Sequence, residues 1–127
     1  MLKSARAFAT LPVSDREKAR AWYSEKLGLE VAEERPEGLE YVCGDGTRVL
    51  LFVSTGKANG EHTQLGLDVD DVDAAAADLK GRGVTFEQYD LPEIKTDENG
   101  IAEVQGERGF WFKDLDGNLI GVGQRTS

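Results

Sequence analysis

Hydrophobic and polar residues alternate near the start of the chain and then recur at helical spacing. The alternation over residues 7–13 has the period of a β-strand, with Ala9, Leu11 and Val13 on one face. A capping box of Ser14 and Glu17 predicts that a helix begins directly afterwards. The helix is predicted to end at Gly28, a residue suited to the left-handed conformation that follows a helix. Its apolar stripe consists of Ala19, Trp22, Tyr23 and Leu27.

Three shorter strands are predicted after this helix. They span residues 29–34, 39–43 and 47–53, and turns at Glu37-Gly38 and Asp45-Gly46 separate them. Residues 54–61 are rich in small and polar side chains and form a predicted connecting loop. The first half of the chain is therefore predicted to be one strand, one helix and three strands.

The second half repeats this order. Alternation at Leu65, Leu67 and Val69 predicts a strand, and Asp70 followed by Asp73 predicts the start of a helix that ends at residues 81–83. Further strands are predicted at residues 84–89, 109–114 and 118–124, and the last two form a hairpin around Asp116-Gly117. The chain is thus predicted to be an internal duplication.

Two offsets measure the duplication. Val13 matches Val69 at an offset of 56, whereas Asp45-Gly46 matches Asp116-Gly117 at an offset of 71. The second copy therefore carries about 15 extra residues, which are predicted to lie between Tyr89 and Arg108. A segment of this length is either a lid or binding loop or a surface excursion, and the sequence leaves both open.

Composition and charge narrow the class of protein. With 127 residues, 39% of them hydrophobic and 31% charged, the chain is predicted to be one soluble cytoplasmic domain. The net charge of -9 argues against a nucleic-acid partner, and no apolar run is long enough for a membrane helix. Cys43 is the only cysteine and His62 the only histidine, so neither a disulfide nor a Cys/His catalytic pair is predicted.

Three motifs carry a resemblance to a known family. They are L-P-V-S-D-x-x-K-A-x-x-W-Y-x-E-x-L-G-L-E-V at residues 11–31, L-D-V-D-D-V-D at residues 67–73 and W-F-K-D-L-D-G-N-L-I at residues 111–120. With them the chain resembles the vicinal oxygen chelate superfamily, which includes glyoxalase I, bleomycin-resistance proteins and extradiol dioxygenases. The resemblance implies an α+β fold in which two βαβββ modules, at about residues 5–54 and 62–125 of a single domain, form a cupped, barrel-like sheet around a cavity.

The resemblance also implies where a metal ion would bind. Metal enzymes of the superfamily place ligands on the first and last strands of each module, and the corresponding residues here are Phe8, Leu50, Gln64 and Gly121. A divalent ion needs several converging nitrogen or oxygen donors, and only Gln64 has a side-chain donor. We therefore predict neither a metal nor another cofactor. His62 has the strand parity of Gln64 but lies outside this register, and is interpreted as a solvated loop residue.

A cavity with these residues is predicted to be mainly apolar, as small-molecule sites usually are. The predicted ligand-binding residues are Phe8, Thr10, Leu50, Phe52, Gln64, Trp111 and Gly121, and Gly66 and Gly123 share their face. Trp111 could stack on a planar ligand, although Trp111, Phe8 and Leu50 could equally be core residues that fill the cavity. The carboxylates Glu40, Glu87, Glu103 and Glu107 are candidate acids or bases only if they are buried, and no catalytic residue is assigned.

Three functions remain open. The favoured hypothesis is a metal-free protein that sequesters a planar or aromatic small molecule, as the resemblance to bleomycin-resistance proteins implies. The alternatives are an enzyme of the superfamily that uses a non-standard site, either a lyase, an isomerase or a dioxygenase, and a module that binds a protein partner. The resemblance also implies a homodimer.

Overall fold

The computed structural model describes residues 2–54, 56 and 59–125, and of Arg125 only the backbone. The chain divides into two compact units, Met1–Ala58 and Asn59–Ser127, and each is described by itself. Each unit contains one helix and one four-stranded mixed sheet. The order of elements is βαβββ in both, so the α+β fold of two βαβββ modules that the resemblance implied is confirmed.

In the first unit an edge strand precedes the α-helix and the other three strands. Its elements are β1 (Ala9–Val13), α1 (Arg16–Leu27), β2 (Glu33–Arg35), β3 (Gly38–Val42) and β4 (Arg48–Val53). The strands lie in the order β1-β4-β3-β2, with β1 and β4 parallel and the other pairs antiparallel. A 3₁₀ turn at Gly44–Gly46 joins β3 to β4, where Asp45 has a φ of 56°, so the turn predicted at Asp45-Gly46 is confirmed.

The second unit has the same order of elements. They are β5 (Leu65–Asp68), α2 (Val72–Gly81), β6 (Ala102–Val104), β7 (Glu107–Lys113) and β8 (Leu119–Arg125). The strands lie in the order β5-β8-β7-β6, with β5 and β8 parallel. Neither four-stranded sheet is closed into a barrel. The barrel-like sheet that the resemblance implied is therefore corrected to two open sheets.

Both helices are capped one residue later than predicted. The N-cap of α1 is Asp15, whose carboxylate accepts a hydrogen bond from the amide of Lys18 at 3.0 Å. The N-cap of α2 is Asp71, which accepts from the amide of Ala74 at 3.1 Å. The capping roles predicted for Ser14 and Asp70 are wrong. The end of α1 is as predicted, because Gly28 has a φ of 69°.

The strand pairing confirms the two offsets of the duplication. Thr10 pairs with Leu50 in the first sheet, and the residues displaced by 56 and 71, Gly66 and Gly121, pair in the second sheet. Glu40 pairs with Leu50, and its counterpart at the offset of 71, Trp111, pairs with Gly121. The two sheets therefore share one register, and each open-face position in one has a counterpart in the other.

The extra residues interrupt the outer strand of the second sheet. Five residues separate α1 from β2, whereas twenty separate α2 from β6, which matches the predicted surplus of about 15. The predicted strand at residues 84–89 is wrong. This segment makes one bridge, Phe86 to Phe112, and one further bond from the Glu87 amide to the Trp111 carbonyl at 2.7 Å. The chain then leaves the sheet edge after Glu87 and returns at Ala102 as β6, a strand that was not predicted.

Each sheet packs one face against its helix and leaves the other face open. In the first unit the helix face carries Leu11, Leu39, Tyr41 and Leu51, all at most 1% exposed, against Ala19 and Tyr23 of α1. In the second unit it carries Phe110, Phe112, Ile120 and Val122 against Val72, Ala76 and Leu79 of α2. Because side chains alternate along a strand, all the predicted ligand-binding residues on strands fall on the open faces.

Of the helices in the described part of the chain, neither is long and apolar enough to cross a membrane.

Candidate functional site

A trough of about 400 Å³ lies on the open face of the second sheet. Its floor consists of four glycines, at positions 66, 109, 121 and 123, on three neighbouring strands. Its walls are Trp111, Ile94, Ala102 and Val104, and its rim includes Asp68, Gln105 and Glu107. We refer to this cavity as the glycine trough. It exists because the four floor positions carry no side chains.

Gly66 and Gly121 have different surroundings within the trough. A Cβ built on Gly66 would have no atom within 4 Å, so the trough is open above it. A Cβ built on Gly121 would lie 3.1 Å from the Trp111 Nε1 and 3.2 Å from its Cδ1. The indole of Trp111 therefore lies directly over Gly121, the residue opposite it on the next strand.

Trp111 is held in place by the extra segment. The ring of Tyr89 meets the indole edge-to-face, with centroids 5.5 Å apart and planes at 83°. Burial raises the pKa of the Tyr89 hydroxyl, and the charge of Glu87 adds to this, so Tyr89 stays neutral at physiological pH. Ile94 of the same segment lines the trough. The extra segment is thus part of a cavity wall, whichever of its two predicted roles applies.

The extra segment has its own hydrogen-bond network. The carboxylate of Asp97 accepts from the amides of Asn99 and Ile101 at 2.8 and 3.0 Å. The Lys80 ammonium on α2 donates to the Asn99 carbonyl at 2.7 Å, which attaches the segment to the helix. Thr96 accepts from the Tyr89 amide at 2.9 Å. These bonds place Ile94 and Tyr89 beside the trough.

The predicted site residues of the first unit lie on the open face of its sheet. Thr10 and Leu50 are register partners on β1 and β4, and Phe52 is the next open-face residue on β4. Phe8 lies just before β1 and is 49% exposed. Leu50 and Phe52 are half-buried. Contact of these four residues with a ligand stays a prediction.

Glu40, on the same open face, is a buried carboxylate between two arginines. Its Oε2 lies 3.1 Å from Arg35 Nη2 and 3.5 Å from Arg48 Nη1. Glu40 is 8% exposed, so of the four carboxylates considered as acids or bases it is the buried one. Its ion pairs occupy it, and a carboxylate paired in this way is not a free general base. The guanidinium of Arg48 also lies over the ring of Phe8, 5.7 Å from its centroid.

Gln64 precedes β5 and does not line the glycine trough. Its backbone amide donates to the Leu119 carbonyl at 2.8 Å. Its side-chain Oε1 is buried and accepts no hydrogen bond within the described part of the chain. Because an unpaired buried acceptor costs about 1–3 kcal/mol, this oxygen is a candidate polar contact for a bound molecule. Of the seven predicted ligand-binding residues, Trp111 and Gly121 line the trough.

The residues at the metal positions of the resembled superfamily do not fit a metal ion. Phe8, Leu50 and Gly121 have no donor atoms, and the remaining position offers one amide. Residues 2–54, 56 and 59–125 contain no group of three or more histidine, cysteine, aspartate or glutamate side chains that could hold an ion. His62 is exposed. Burial raises the pKa of the Cys43 thiol, which disfavours the thiolate that metals and electrophiles require.

A sequence model of the Glyoxalase/Bleomycin resistance protein/Dioxygenase superfamily matches residues 6–122. The chain belongs to this superfamily. The match extends over both units and includes the three motifs on which the resemblance was based. A comparison with curated protein sequences gives no match.

Several solved structures are similar to this chain over nearly its whole length. A member from Sphaerobacter thermophilus is 29% identical, with a TM-score of 0.72, and the alignment covers 98% of this chain and 100% of that one. TnmS3, an antibiotic-binding protein from a Streptomyces strain, is 30% identical, with a TM-score of 0.65 and 98% of each chain covered. A glyoxalase/bleomycin resistance protein from Catenulispora acidiphila is 26% identical, with a TM-score of 0.69, and covers 95% and 98%.

Several residues of these two open faces were not predicted from the sequence. Ile94 was missed because the extra segment has no counterpart in the first unit, and Ala102 and Val104 were missed because β6, the counterpart of β2, was not predicted at this place. Arg48 was missed because no motif includes it. The position of Glu40 opposite Leu50 could have been predicted, since subtracting 71 from the position of Trp111 gives this residue.

Proposed function

We propose that this superfamily member is a metal-free small-molecule-binding protein that sequesters a planar, aromatic compound in the glycine trough. The observation that carries the proposal is the indole of Trp111 beside a floor of glycines. A flat ring can approach a glycine floor closely, and an indole beside it offers a stacking or edge contact. The volume of about 400 Å³ is within the range of ligand sites.

The donor set supports binding rather than metal-dependent catalysis. Three of the superfamily's four metal positions carry residues without a donor atom. The floor and walls of the trough consist of glycines and apolar side chains, with Asp68, Gln105 and Glu107 at its rim. Trp111, Ile94 and Val104 provide the apolar contact area. Such a site holds a molecule by burial of its apolar surface, which is worth roughly 25 cal/mol per Å² removed from water.

The relative TnmS3 supports the same class of function. It is described as an antibiotic-binding protein and is 30% identical to this chain over 98% of both chains. We infer from this likeness that the ligand is a natural product or drug, and from the indole of Trp111 that it has a flat ring system. The homodimer, the cytoplasmic location and the absence of nucleic-acid and membrane partners stay predictions.

The test uses the fluorescence of Trp111 alone. The chain has two tryptophans, so a Trp22→Phe background leaves Trp111 as the single reporter. We expect saturable 1:1 quenching by a neutral tricyclic probe such as phenazine, and by members of a library of planar antibiotics. Mass spectrometry of the recovered probe separates binding from the enzyme alternative, because a binding protein returns the probe unchanged.

Gly66→Val is the diagnostic variant. Because nothing surrounds a Cβ at position 66, valine fits the strand and fills the trough, so binding should weaken at least tenfold without loss of thermal stability. Gly81→Val on α2, where a Cβ also has free space, is the matched control and should bind normally. Non-saturable quenching, or equal binding by both variants, would contradict the proposal.

A further inference from the structure

A row of three side chains crosses the open face of the first sheet. Arg48 is the register partner of Val42, and Phe8 lies on the other side of it, with the guanidinium 5.7 Å from the ring centroid. Phe8 is 49% and Val42 51% exposed, and the Arg48 side chain is 30% exposed. A cation is thus placed between two apolar side chains that water reaches.

Two arginines on this face share one buried carboxylate, Glu40. Arg35 shares Glu40, at 3.1 Å, and also Glu33, at 3.4 Å. Arg48 has one ion-pair contact in the described part of the chain, to Glu40 at 3.5 Å. A guanidinium has five N–H donors, so most of the hydrogen-bonding capacity of Arg48 is unused.

We propose that the row of Phe8, Arg48 and Val42 is a binding site for small planar aromatic carboxylates. The carboxylate of the ligand accepts from the guanidinium of Arg48, and its ring covers the exposed surfaces of Phe8 and Val42. This inference goes beyond the proposed function, because none of its residues belongs to the glycine trough.

The chemistry of the row selects for an anion. A guanidinium is planar and matches a carboxylate with two parallel hydrogen bonds, which a neutral amide or an ammonium group cannot form with it. Two carboxylates of this face could attract a cationic ligand, and both are paired: Glu40 is 8% exposed and contacts Arg35 and Arg48, and Glu33 contacts Arg35. The chain has a net charge of -9, so the partly exposed Arg48, flanked by apolar surface, is a positive site on a protein that is negative on average.

The test compares three naphthalene probes by isothermal titration and by chemical-shift perturbation. They are 2-naphthoate, its neutral isostere 2-naphthamide and the cation 2-naphthylmethylammonium. We expect naphthoate to bind about threefold to tenfold more tightly than naphthamide, the range for a charge-assisted contact that is partly exposed. Naphthylmethylammonium should not bind here. The preference should shrink at high ionic strength because salt screens exposed charges.

Two substitutions should move the preference in opposite directions. Arg48→Gln should abolish it, whereas Glu40→Gln should increase the affinity for naphthoate about threefold to tenfold, because the internal carboxylate that competes for Arg48 becomes a neutral amide. Arg48→Lys keeps the charge but loses the planar fork and should give an intermediate preference. Lys18→Gln, on the exposed side of α1, removes one charge elsewhere and is the matched control.

Three results would overturn the inference. They are equal affinities for naphthoate and naphthamide in the unmodified protein, a preference that Arg48→Gln leaves unchanged, and a loss of affinity in Glu40→Gln although circular dichroism shows it folded. A second copy of the chain could instead cover this row, and dissociation of a dimer by Arg48→Gln in sedimentation would support that occupant and refute the carboxylate. Failure of this test is distinct from failure of the proposed function, which Trp111 quenching and Gly66→Val report.

Discussion

Adding one methyl group at Gly66 or at Gly121 tests where the indole of Trp111 lies. The two glycines are register partners on β5 and β8, and both face the glycine trough. Neither has a positive φ, so alanine can adopt both backbone conformations. The variants Gly66→Ala and Gly121→Ala therefore differ in what surrounds the new methyl group, and little else.

The distances give the expected size of the difference. At Gly66 the methyl meets nothing within 4 Å, so alanine should stabilise the protein by about 0.4–1 kcal/mol through the reduced freedom of the unfolded chain. At Gly121 the methyl meets the Trp111 ring at 3.1–3.2 Å and Thr63 Cγ2 at 3.3 Å. Such overpacking costs about 1–3 kcal/mol. Both alanines share the gain from the unfolded chain, so the two variants should differ by the overpacking cost of about 1–3 kcal/mol, or roughly 4–12 °C in melting temperature.

Thermal unfolding by circular dichroism measures this difference, and fluorescence locates its cause. In a Trp22→Phe background, Gly121→Ala should shift the emission of Trp111 because the indole must move, whereas Gly66→Ala should leave the emission unchanged. Equal melting temperatures together with identical emission spectra would refute the placement of the indole over Gly121. They would also remove the main support for the proposed binding site.

Three further predictions concern α2, its ion pair and the extra segment. Asp71→Ala should destabilise the protein by about 0.5–2 kcal/mol in urea unfolding, and the same change at the preceding aspartate should have a much smaller effect, because Asp71 is the N-cap. The hydrogen bond from Arg108 lowers the pKa of Asp73 in the folded protein. The stabilisation from this ion pair is therefore present above the unfolded pKa of Asp73 and is lost as pH falls through the lower folded pKa. In urea unfolding, Arg108→Gln and the unmodified protein should differ in stability at pH 7 and converge towards pH 3. Ile94→Ala should weaken quenching of Trp111 by phenazine severalfold, whereas Leu91→Ala, at an exposed residue of the same segment, should not.

The sequence was sufficient to predict the duplication and its register. Alternation and helical spacing depend on which residues face the core, and the marked residues Leu11, Val13 and Tyr23 are buried. The capping residues were each wrong by one position. Ser14-Asp15 and Asp70-Asp71 both offer two adjacent residues that can cap, and the backbone conformation that selects the second one is not encoded in the pattern.

The extra segment was predicted in size but not in structure. Its length follows from the difference of the two offsets, but its wall residue Ile94 has no equivalent in the first unit. The strand β6, which pairs with β7 as β2 pairs with β3, begins only after the extra residues. Val84 and Phe86 are buried, in agreement with the alternation that suggested a strand. That segment cannot extend into a full strand because β6 occupies the remaining length of the same edge of β7.

The same register produces opposite surfaces in the two units. The equivalent open-face pairs are Thr10 and Gly66, Leu50 and Gly121, Phe52 and Gly123, and Glu40 and Trp111. In the second unit Gly121 has no side chain, so the indole opposite it can lie across the strand. In the first unit Leu50 occupies the equivalent place, and the residue opposite it, Glu40, pairs instead with Arg35 and Arg48. Side-chain size at one position of the repeat thus determines whether the facing residue covers the sheet as an apolar wall or pairs with neighbouring arginines. This is why the two proposed sites differ in ligand chemistry.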